Sequence, residues 1–393
     1  MFKLPDEVKK DIDNYKHSLK ELEASKISSA RFKGIRVPWG IYSHRGGKVF
    51  MNRIRVPAGV VSPSQLKTLA NASSKYGNGI LHITTRQDIQ IHNVRIEDTI
   101  KVMEDLKIDN LSSRGGGGNT VRNVIACPLA GVCKDELFDV RGYAIALTEN
   151  LLRQESSFKL PRKFKVAFSG CAKDCVGCLV NDIGLFAQYK DGKKGFKVFV
   201  GGGMGASSRI GKLLKEFIPE GDTGDCVAAV KNIFYKKGNR RNKHRNRLRF
   251  LIEEIGFEEF KKLYEDEFRQ VKEKEHTNLR KIDFPKKESL GEGAVLAKDK
   301  GYGEFLEYSV RLQKQKGFSS VELRIPQGDI LAKKLTALAA LEKDFPGIEF
   351  RASQNQNLVI VWVRSKDCYK LFLKLKGILD DFLYPETLLD TVV

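Results

Sequence analysis

Cysteine is the residue type whose number and spacing in this chain point most directly to chemistry. Five of the seven cysteines fall between positions 127 and 178. Four of them form a Cys-x5-Cys pair followed, after 37 residues, by a Cys-x3-Cys pair: Cys127, Cys133, Cys171 and Cys175. Soft thiolate ligands from two short loops suit iron, so we predict that these four cysteines bind one iron–sulfur cluster.

Two other interpretations of the same cysteines stay open. A zinc site is one, although zinc-binding pairs have two to four residues between ligands and the x5 spacing fits poorly. Buried cysteines without chemistry are the other. A disulfide framework is not expected, because the count is odd and the charged N-terminus lacks the apolar core of a secretion signal.

Length, charge and hydropathy limit the kind of protein this is. A chain of 393 residues with 41% hydrophobic and 30% charged residues is typical of two or three globular domains. No apolar run is long enough to span a membrane, and we predict a cytoplasmic location. The net charge of +20 favours an anionic partner. The densest basic run, residues 236–249, alone is typical of a nucleic-acid patch, but aromatics are not interleaved with it and no nucleic-acid partner is expected.

An internal duplication organises the chain around the cysteines. The segment RIRVPAGVVSPSQLKTLA, from Arg53, resembles ELRIPQGDILAKKLTALAA, from Glu322, at an offset of 269. The aligned pairs, which need no gap, are Arg55 with Arg324, Pro57 with Pro326, Gly59 with Gly328, Leu66 with Leu335, Leu69 with Leu338, Ala70 with Ala339, Gln87 with Gln356 and Ile91 with Ile360. We therefore predict a duplicated module.

Each copy alternates strand, turn, helix, strand and helix, which predicts a small two-layer α+β unit. The cysteines lie between the copies, after a glycine run (115–118) that we expect to be a flexible crossing loop. The predicted boundaries are an N-terminal helical extension (1–34), a first half-domain (35–112), a cysteine-containing domain (119–270), a linker (271–300) and a second half-domain (301–393).

The cysteine pattern resembles the cluster motif of sirohaem-dependent sulfite and nitrite reductases. The resemblance implies an α+β fold in which duplicated ferredoxin-like half-domains flank a mixed α+β domain that binds sirohaem and a 4Fe–4S cluster. It implies that Cys175 bridges the cluster to the sirohaem iron, and that the other three cysteines bind only the cluster. No role follows for Cys178. We expect Cys226 and Cys368, in helical segments, to be packing residues.

The same resemblance extends to residues that contact sirohaem. The segment TTRQDIQIH, residues 84–92, is similar to the family strand that lies against the cofactor. The implied cofactor contacts are Arg55, Arg86, Gln90 and His92. A strand period of two would put residues 86, 90 and 92 on one face. The alternative is that they form one solvated face of an exposed strand.

Four cations resemble the family's anion-binding residues: Arg53, Arg122, Lys163 and Lys165. A bound oxyanion needs charge compensation, and its reduction needs protons delivered to leaving oxygens. The Lys163-x-Lys165 spacing resembles the sulfite branch, because the nitrite branch often has Lys-x-Asn. The implied substrate is sulfite or nitrite, and the implied electron donor is an acidic ferredoxin.

The sequence departs from the family pattern in one respect. Here the anion-binding cations and the cluster cysteines both lie in the first half of the chain, whereas the family divides them between two halves. We therefore expect a missing C-terminal half or a second homologous subunit. The function predicted is sirohaem- and 4Fe–4S-dependent reduction of sulfite to sulfide or of nitrite to ammonia. The alternative is an iron–sulfur electron-transfer subunit, or the non-catalytic half of a two-subunit reductase.

Overall fold

The computed structural model describes residues 2–242, 244–275, 277, 279, 282–285, 287–290 and 301–379. The chain divides into two compact units. Unit 1 comprises Met1–Gly40, Arg114–Gly131 and Asp135–Phe284, and unit 2 comprises Ile41–Ser113, Val132–Lys134 and Pro285–Val393. The predicted N-terminal extension and cysteine-containing domain thus fall mainly in unit 1, and the two half-domains in unit 2. Within the described ranges, no helix is both long and apolar enough to cross a bilayer.

Helices and strands alternate through both units, which confirms the predicted α+β class. The helices are α1 (Asp6–Glu23), α2 (Ser29–Arg36), α3 (Pro63–Tyr76), α4 (Thr99–Ile108), α5 (Arg141–Arg153), α6 (Thr223–Lys237), α7 (Leu248–Ile255), α8 (Phe257–Glu275), α9 (Tyr302–Glu304), α10 (Ala332–Ala340) and α11 (Cys368–Ile378). The strands are β1 (Ile41–Ser43), β2 (Phe50–Ile54), β3 (Val60–Val61), β4 (Ile80–Ile83), β5 (Ile89–Val94), β6 (Ile125–Ala126), β7 (Val166–Ser169), β8 (Ile183–Lys190), β9 (Lys193–Val200), β10 (Lys212–Pro219), β11 (Val310–Leu312), β12 (Phe318–Leu323), β13 (Asp329–Leu331), β14 (Glu349–Ala352) and β15 (Leu358–Arg364).

Unit 1 is built on one mixed sheet with the strand order β10-β9-β8-β7-β6. Strands β6, β7 and β8 run parallel, whereas β8, β9 and β10 are antiparallel. Strand β7 reads VAFS and is buried along its whole length, as expected for a central parallel strand. Strand β6 ends at the loop that contains Cys127, and β8 begins after the loop that contains Cys171 and Cys175.

The N-terminal segment forms the amphipathic helix that the sequence predicts. Val8, Ile12, Tyr15 and Leu19 are buried and recur every three or four residues, so they share one face of α1. That face packs against α2 and α5 of unit 1. The segment 2–34 therefore packs as part of unit 1.

The predicted duplication is confirmed in the backbone of unit 2. Shifting the first copy by 269 residues superimposes β4 on β14 (349–352) and β1 on β11 (310–312). Matched residues also share positive φ angles, namely Ala58 and Gln327 (56° and 55°), Gly59 and Gly328 (72° and 76°), Gln87 and Gln356 (58° and 63°), and Asn93 and Trp362 (60° and 66°). Non-glycine residues seldom adopt these angles, so the agreement reflects one backbone used twice.

The two copies complete each other's sheets by exchanging a short strand. The sheet of the first copy has the order β1-β2-β5-β4-β13, and that of the second has β11-β12-β15-β14-β3. The helices α3 and α10 pack together, and Leu66, Leu69, Leu335 and Leu338 share one buried core. Burial of apolar surface therefore depends on both copies.

Two buried glutamines form hydrogen bonds between the two copies. Gln87 donates from Nε2 to the carbonyl of Ala352 at 2.8 Å, and Gln356 donates to that of Ile83 at 3.0 Å. Glycine is required next to each: a Cβ on Gly59 or Gly328 would lie 2.5 Å from the same carbonyl oxygens. This reciprocity explains why the glutamines and glycines aligned in the sequence.

The predicted linker, residues 271–300, is partly helical. Helix α8 continues through Glu275, and residues 291–300 lie outside the described residues. In the glycine run 115–118, predicted to be a flexible crossing loop, Gly115, Gly116 and Gly117 are buried and their carbonyls accept hydrogen bonds from Thr120 and Arg122.

Candidate functional site

Three of the four predicted cluster cysteines meet at one edge of the unit 1 sheet. Cys127 follows β6, and Cys171 follows β7 after one glycine. Since β6 and β7 are parallel and paired in register, their carboxyl ends bring these two cysteines to the same edge. The thiol of Cys175 is hydrogen bonded with the thiols of Cys127 and Cys171. Cys127 and Cys171 are buried, whereas Cys175 is exposed.

Thiol–thiol hydrogen bonding makes Cys175 unusually acidic. The bond with Cys127, reinforced by that with Cys171, lowers the pKa of Cys175 to about 6 despite the opposing effect of burial. A thiolate is the form that binds metal. The remaining predicted ligand, Cys133, lies in the segment 132–134 of unit 2, where Val132 accepts a hydrogen bond from the amide of Lys314.

The donor set fits an iron–sulfur cluster better than a single ion. Across the described part of the chain, no group of three or more His, Cys, Asp or Glu side chains is arranged to hold one metal ion. The donors are thiols alone, and thiolates are the ligands that hold an iron–sulfur cluster.

The other three cysteines are packing residues, as predicted for Cys226 and Cys368. Cys178 is completely buried and donates from Sγ to the carbonyl of Leu185 at 3.8 Å. Burial raises the pKa of the Cys178 thiol well above its ordinary value, and that of Cys226 to about 12. A raised pKa favours the protonated thiol, which is not the form that binds metal.

A second group in unit 1 brings together three of the predicted anion-binding cations. Lys163 and Lys165 flank the buried Phe164, whose carbonyl accepts the backbone N–H of Arg122 at 2.8 Å. The guanidinium of Arg122 is held by the carbonyls of Gly116 and Gly118, at 3.0 Å each. The fourth predicted cation, Arg53, belongs to unit 2.

Sequence reasoning missed two residues beside these cations, the arginine Arg247 and the carboxylate Asp182. The Arg247 guanidinium donates to Asp182 at 2.9 Å, and both side chains are buried. Burial lowers the pKa of Lys163 to about 8, helped by the positive charges of Arg247, Arg122 and Arg162. The only signal for Arg247 was its place in the basic run, and nothing local marked Asp182.

Much of the basic run is engaged within unit 1. Arg249 lies against Gly203, where a Cβ would be 2.2 Å from its NH1 atom, and Arg245 pairs with Glu253 at 3.6 Å. Lys236 pairs with Glu267 at 2.6 Å. The basic residues at the end of the run, Arg247 and Arg249, are buried, whereas Lys236, Arg240, Arg241 and Arg245 are exposed.

In unit 2, the predicted sirohaem contacts lie on the sheet face of the first copy. The register pairs Arg53 with Gln90, Gln90 with His82, and His82 with Asp329, which makes one polar row across four strands. His92 lies two residues beyond Gln90 on the same face. Sequence analysis predicted Arg53, Gln90 and His92 here but missed His82 and Asp329.

Three histidines gather at the end of this row. The ring of His92 lies 5.3 Å from that of His44 and 6.1 Å from that of His82, both edge-on. Burial, with the nearby His44, lowers the pKa of His92 to about 4, so this imidazole is neutral at pH 7. Asp329 accepts from Nδ1 of His82 at 2.7 Å, and Gln356 contacts its Nε2 at 3.1 Å.

The strand period was wrong for Arg86. Residues 84–88 form a hairpin turn in which Gln87 has a φ of 58° and Thr84 bonds back to Asp88. Arg86 therefore lies in the turn and does not alternate with Gln90 and His92. Arg55 is buried, and its backbone N–H donates to Ser112 at 2.9 Å.

Comparison with known proteins agrees with this arrangement. A model of the nitrite and sulphite reductase 4Fe-4S domain matches residues 117–272. A model of the nitrite/sulfite reductase ferredoxin-like half domain matches residues 42–107 and 311–377, which confirms the predicted ferredoxin-like fold of the two copies.

Individual relatives carry related names. The ferredoxin–nitrite reductase of Synechococcus elongatus is 31% identical over 322 residues, covering 80% of this chain and 59% of that protein. The chloroplastic ferredoxin–nitrite reductase of Arabidopsis thaliana is 31% identical over 355 residues, covering 88% and 58%. The chain therefore spans about 60% of the length of these relatives. The structure of the Mycobacterium tuberculosis NirA protein has a similar fold, with a TM-score of 0.76 at 24% identity over 94% of this chain and 67% of that one.

Proposed function

Because the chain belongs to the nitrite and sulphite reductase family, we propose that it takes part in the six-electron reduction of nitrite to ammonia, with a ferredoxin as electron donor. Relatives named ferredoxin–nitrite reductase, at about 30% identity, support nitrite and ferredoxin. Family membership implies a 4Fe–4S cluster and sirohaem as the cofactors. The cytoplasmic location and the second subunit or C-terminal half stay predictions.

The observation that carries this proposal is the meeting of Cys127, Cys171 and Cys175 at one sheet edge. Inert packing cysteines are buried and keep their protons, as Cys178 does. The acidic, exposed Cys175 between two buried thiols is instead typical of a ligand set.

The residues also fit sirohaem, whose many carboxylates require cations. Arg122 and Arg249 supply cations in unit 1. The sirohaem contacts predicted in unit 2, such as His92, stay predictions. When bound, sirohaem supplies the iron that holds the anion and receives electrons from the cluster. The chain's own arginines and lysines balance the anion's negative charge.

Lys163 is suited to hold a proton for this reaction. Nitrite takes up six electrons and eight protons to give ammonium and two waters. An ammonium with a pKa of about 8 is largely protonated at pH 7 and releases its proton more readily than an ordinary lysine. Its charge also favours binding of the anion.

Sulfite is a second candidate substrate. Lys163 and Lys165 both flank Phe164, so two ammonium groups rise from one short segment. Sulfite carries more negative charge than nitrite and has three oxygens to bind. We therefore propose measuring both anions in the same assay.

Anaerobic reconstitution tests the proposal. We expect the full chain, incubated with iron, sulfide and sirohaem, to take up both cofactors and to consume nitrite with reduced methyl viologen. Cys171→Ser should lose the cluster absorption, whereas Cys226→Ser, which changes a buried cysteine on α6, should keep it.

The outcomes separate the alternatives. Cofactor uptake without loss of nitrite or sulfite would favour an electron-transfer subunit or a non-catalytic half. A protein that binds no iron after reconstitution would contradict the proposal outright.

A further inference from the structure

A buried ion pair joins the predicted catalytic lysines to the basic run. Arg247 donates from Nη2 to Oδ2 of Asp182 at 2.9 Å and from Nε to Oδ1 at 3.3 Å. The exposed fraction is 8% for the arginine side chain and zero for the aspartate. Burying two charges is costly unless each is well bonded, so such a pair calls for a role beyond simple stability.

Asp182 also fixes the backbone beside the lysines. Its Oδ2 accepts the backbone N–H of Lys165 at 2.8 Å, and its own carbonyl accepts the N–H of Gly201 at 3.0 Å. The next residue, Ile183, donates to the carbonyl of Lys165 at 3.0 Å. One carboxylate therefore holds the lysine segment and Arg247 in a fixed relation.

The charges around Lys163 come from several segments and are mostly positive. Arg122 comes from the segment after the glycine run, Arg162 precedes Lys163, and Arg247 comes from the start of α7. Asp182 is the one carboxylate that acts on Lys163 with opposite sign among these groups. Arg247 therefore both pairs with Asp182 and contributes to the positive charge that lowers the pKa of Lys163.

We propose that Arg247 and Asp182 are a positioning pair for Lys163 and Lys165, which fixes the lysine backbone and sets the charge that Lys163 experiences. That this pair helps Lys163 to deliver a proton to a bound anion rests on the function proposed above. The geometry of the pair does not depend on that function.

The two members of the pair should act on Lys163 in opposite directions. Removing the positive charge with Arg247→Gln should raise the pKa of Lys163 from about 8 toward its ordinary value. Removing the negative charge with Asp182→Asn should lower it further. A purely structural role predicts a different result, because loosening the site would expose Lys163 to water and raise its pKa in both variants.

Competitive acylation of amines measures the pKa of Lys163 and needs no cofactor. The full chain is treated with trace acetic anhydride between pH 6 and 11, and the modification of Lys163 is followed by peptide mass spectrometry. Only the neutral amine reacts, and one pKa unit changes its fraction about tenfold at neutral pH. We expect labelling at pH 7 to fall several-fold in Arg247→Gln and to rise in Asp182→Asn.

Two further variants complete the test. Arg245→Gln removes an exposed arginine of the same run that pairs with Glu253, and labelling of Lys163 should not change. Arg247→Lys keeps the charge and should restore most of the wild-type profile. Unchanged labelling in Arg247→Gln, or shifts of the same sign in both pair variants, would overturn the inference.

In a reconstituted enzyme the pair should also move the pH profile. Turnover is expected to decline as Lys163 loses its proton above about pH 8, and this limit should move upward in Arg247→Gln. If labelling of Lys163 changes as expected in the two pair variants but the reconstituted protein has no turnover, the positioning role of the pair is supported and the proposed function is contradicted.

Discussion

The two copies in unit 2 share a backbone but differ in the chemistry on their sheets. At the offset of 269, Arg53 corresponds to Glu322, Gln90 to Val359, His92 to Val361 and His82 to Arg351. The glycines and glutamines of the turns are kept, whereas the polar row of the first copy is interrupted in the second, where Val359 and Val361 replace Gln90 and His92. Residues required by the backbone were retained in both copies, and residues suited to a ligand remain in only one.

The exchanged strands sharpen this difference. Val60 of β3 pairs with Arg351 in one sheet, and Asp329 of β13 pairs with His82 in the other. The second copy thus places a carboxylate beside the histidines of the first, while the first copy offers only an apolar side chain in return. The polar face of the first copy's sheet therefore contains residues from both copies.

Giving the first copy the second copy's residue should have the largest effect. Arg53→Glu places a negative charge where the proposed anion binds. We expect kcat/KM for nitrite to fall at least about a hundredfold, or about 3 kcal/mol, in the reconstituted enzyme. The matched variant Glu322→Gln, which keeps an acceptor for Asn357, should leave turnover near wild type. Normal turnover in Arg53→Glu would remove Arg53 from the site.

The glycines test whether the copies are equivalent as scaffolds. Gly59→Ala and Gly328→Ala each introduce a Cβ 2.5 Å from a carbonyl oxygen at a positive φ. We expect each to destabilise unit 2 by about 2–3 kcal/mol, measured by urea unfolding. Gly79→Ala, at a φ of 74° with open space around it, serves as the control for backbone strain alone. Markedly unequal losses for the two buried glycines would break the equivalence.

Replacing either of the two buried glutamines, Gln87 or Gln356, should lower stability by less than the glycine substitutions and by similar amounts. Gln87→Leu leaves the Ala352 carbonyl without its side-chain donor, and Gln356→Leu does the same to that of Ile83. A buried acceptor that loses its donor costs about 1–3 kcal/mol. Thermal unfolding of both variants, and of the double variant, should show similar single losses.

The smallest predicted effect is the pH dependence of stability that His92 contributes, at a position where the second copy has Val361. The pKa of His92 is about 4 in the folded chain and near 6.5 in the unfolded one, so the unfolded state binds the extra proton between these values. This stability is fully present above pH 6.5 and is lost as the pH falls toward 4. We expect a loss of roughly 1–2 kcal/mol over that window. His92→Gln should reduce the slope of the urea midpoint against pH, and an unchanged slope would contradict the assignment.

Local backbone requirements explain why the duplication could be predicted. Turn glycines, capping residues and apolar spacing leave patterns in the sequence, as at Ser62, whose side chain caps α3 with Gln65. The strand period failed at Arg86 because the turn at Gln87 interrupts the strand. Sequence spacing also led to Cys127, Cys171 and Cys175, since parallel strands deliver their loops to one edge.

Long-range pairs were beyond the reach of the sequence. Asp182 and Arg247 are 65 residues apart and leave no periodic signal. The same holds for His82 and Asp329, 247 residues apart. The exchange of β3 and β13 was also missed, because strands of two or three residues depend on their partners more than on their own sequence.

The strand exchange has a consequence for synthesis on the ribosome. Strand β4 ends at Ile83, but its edge is not covered until β13, Asp329–Leu331, has been made. At about 5–20 residues per second, that edge waits roughly 10–50 seconds without its partner. An uncovered strand edge is a template for pairing with other chains. The first copy therefore emerges as an incomplete nascent domain, for which chaperone protection during translation is of direct value.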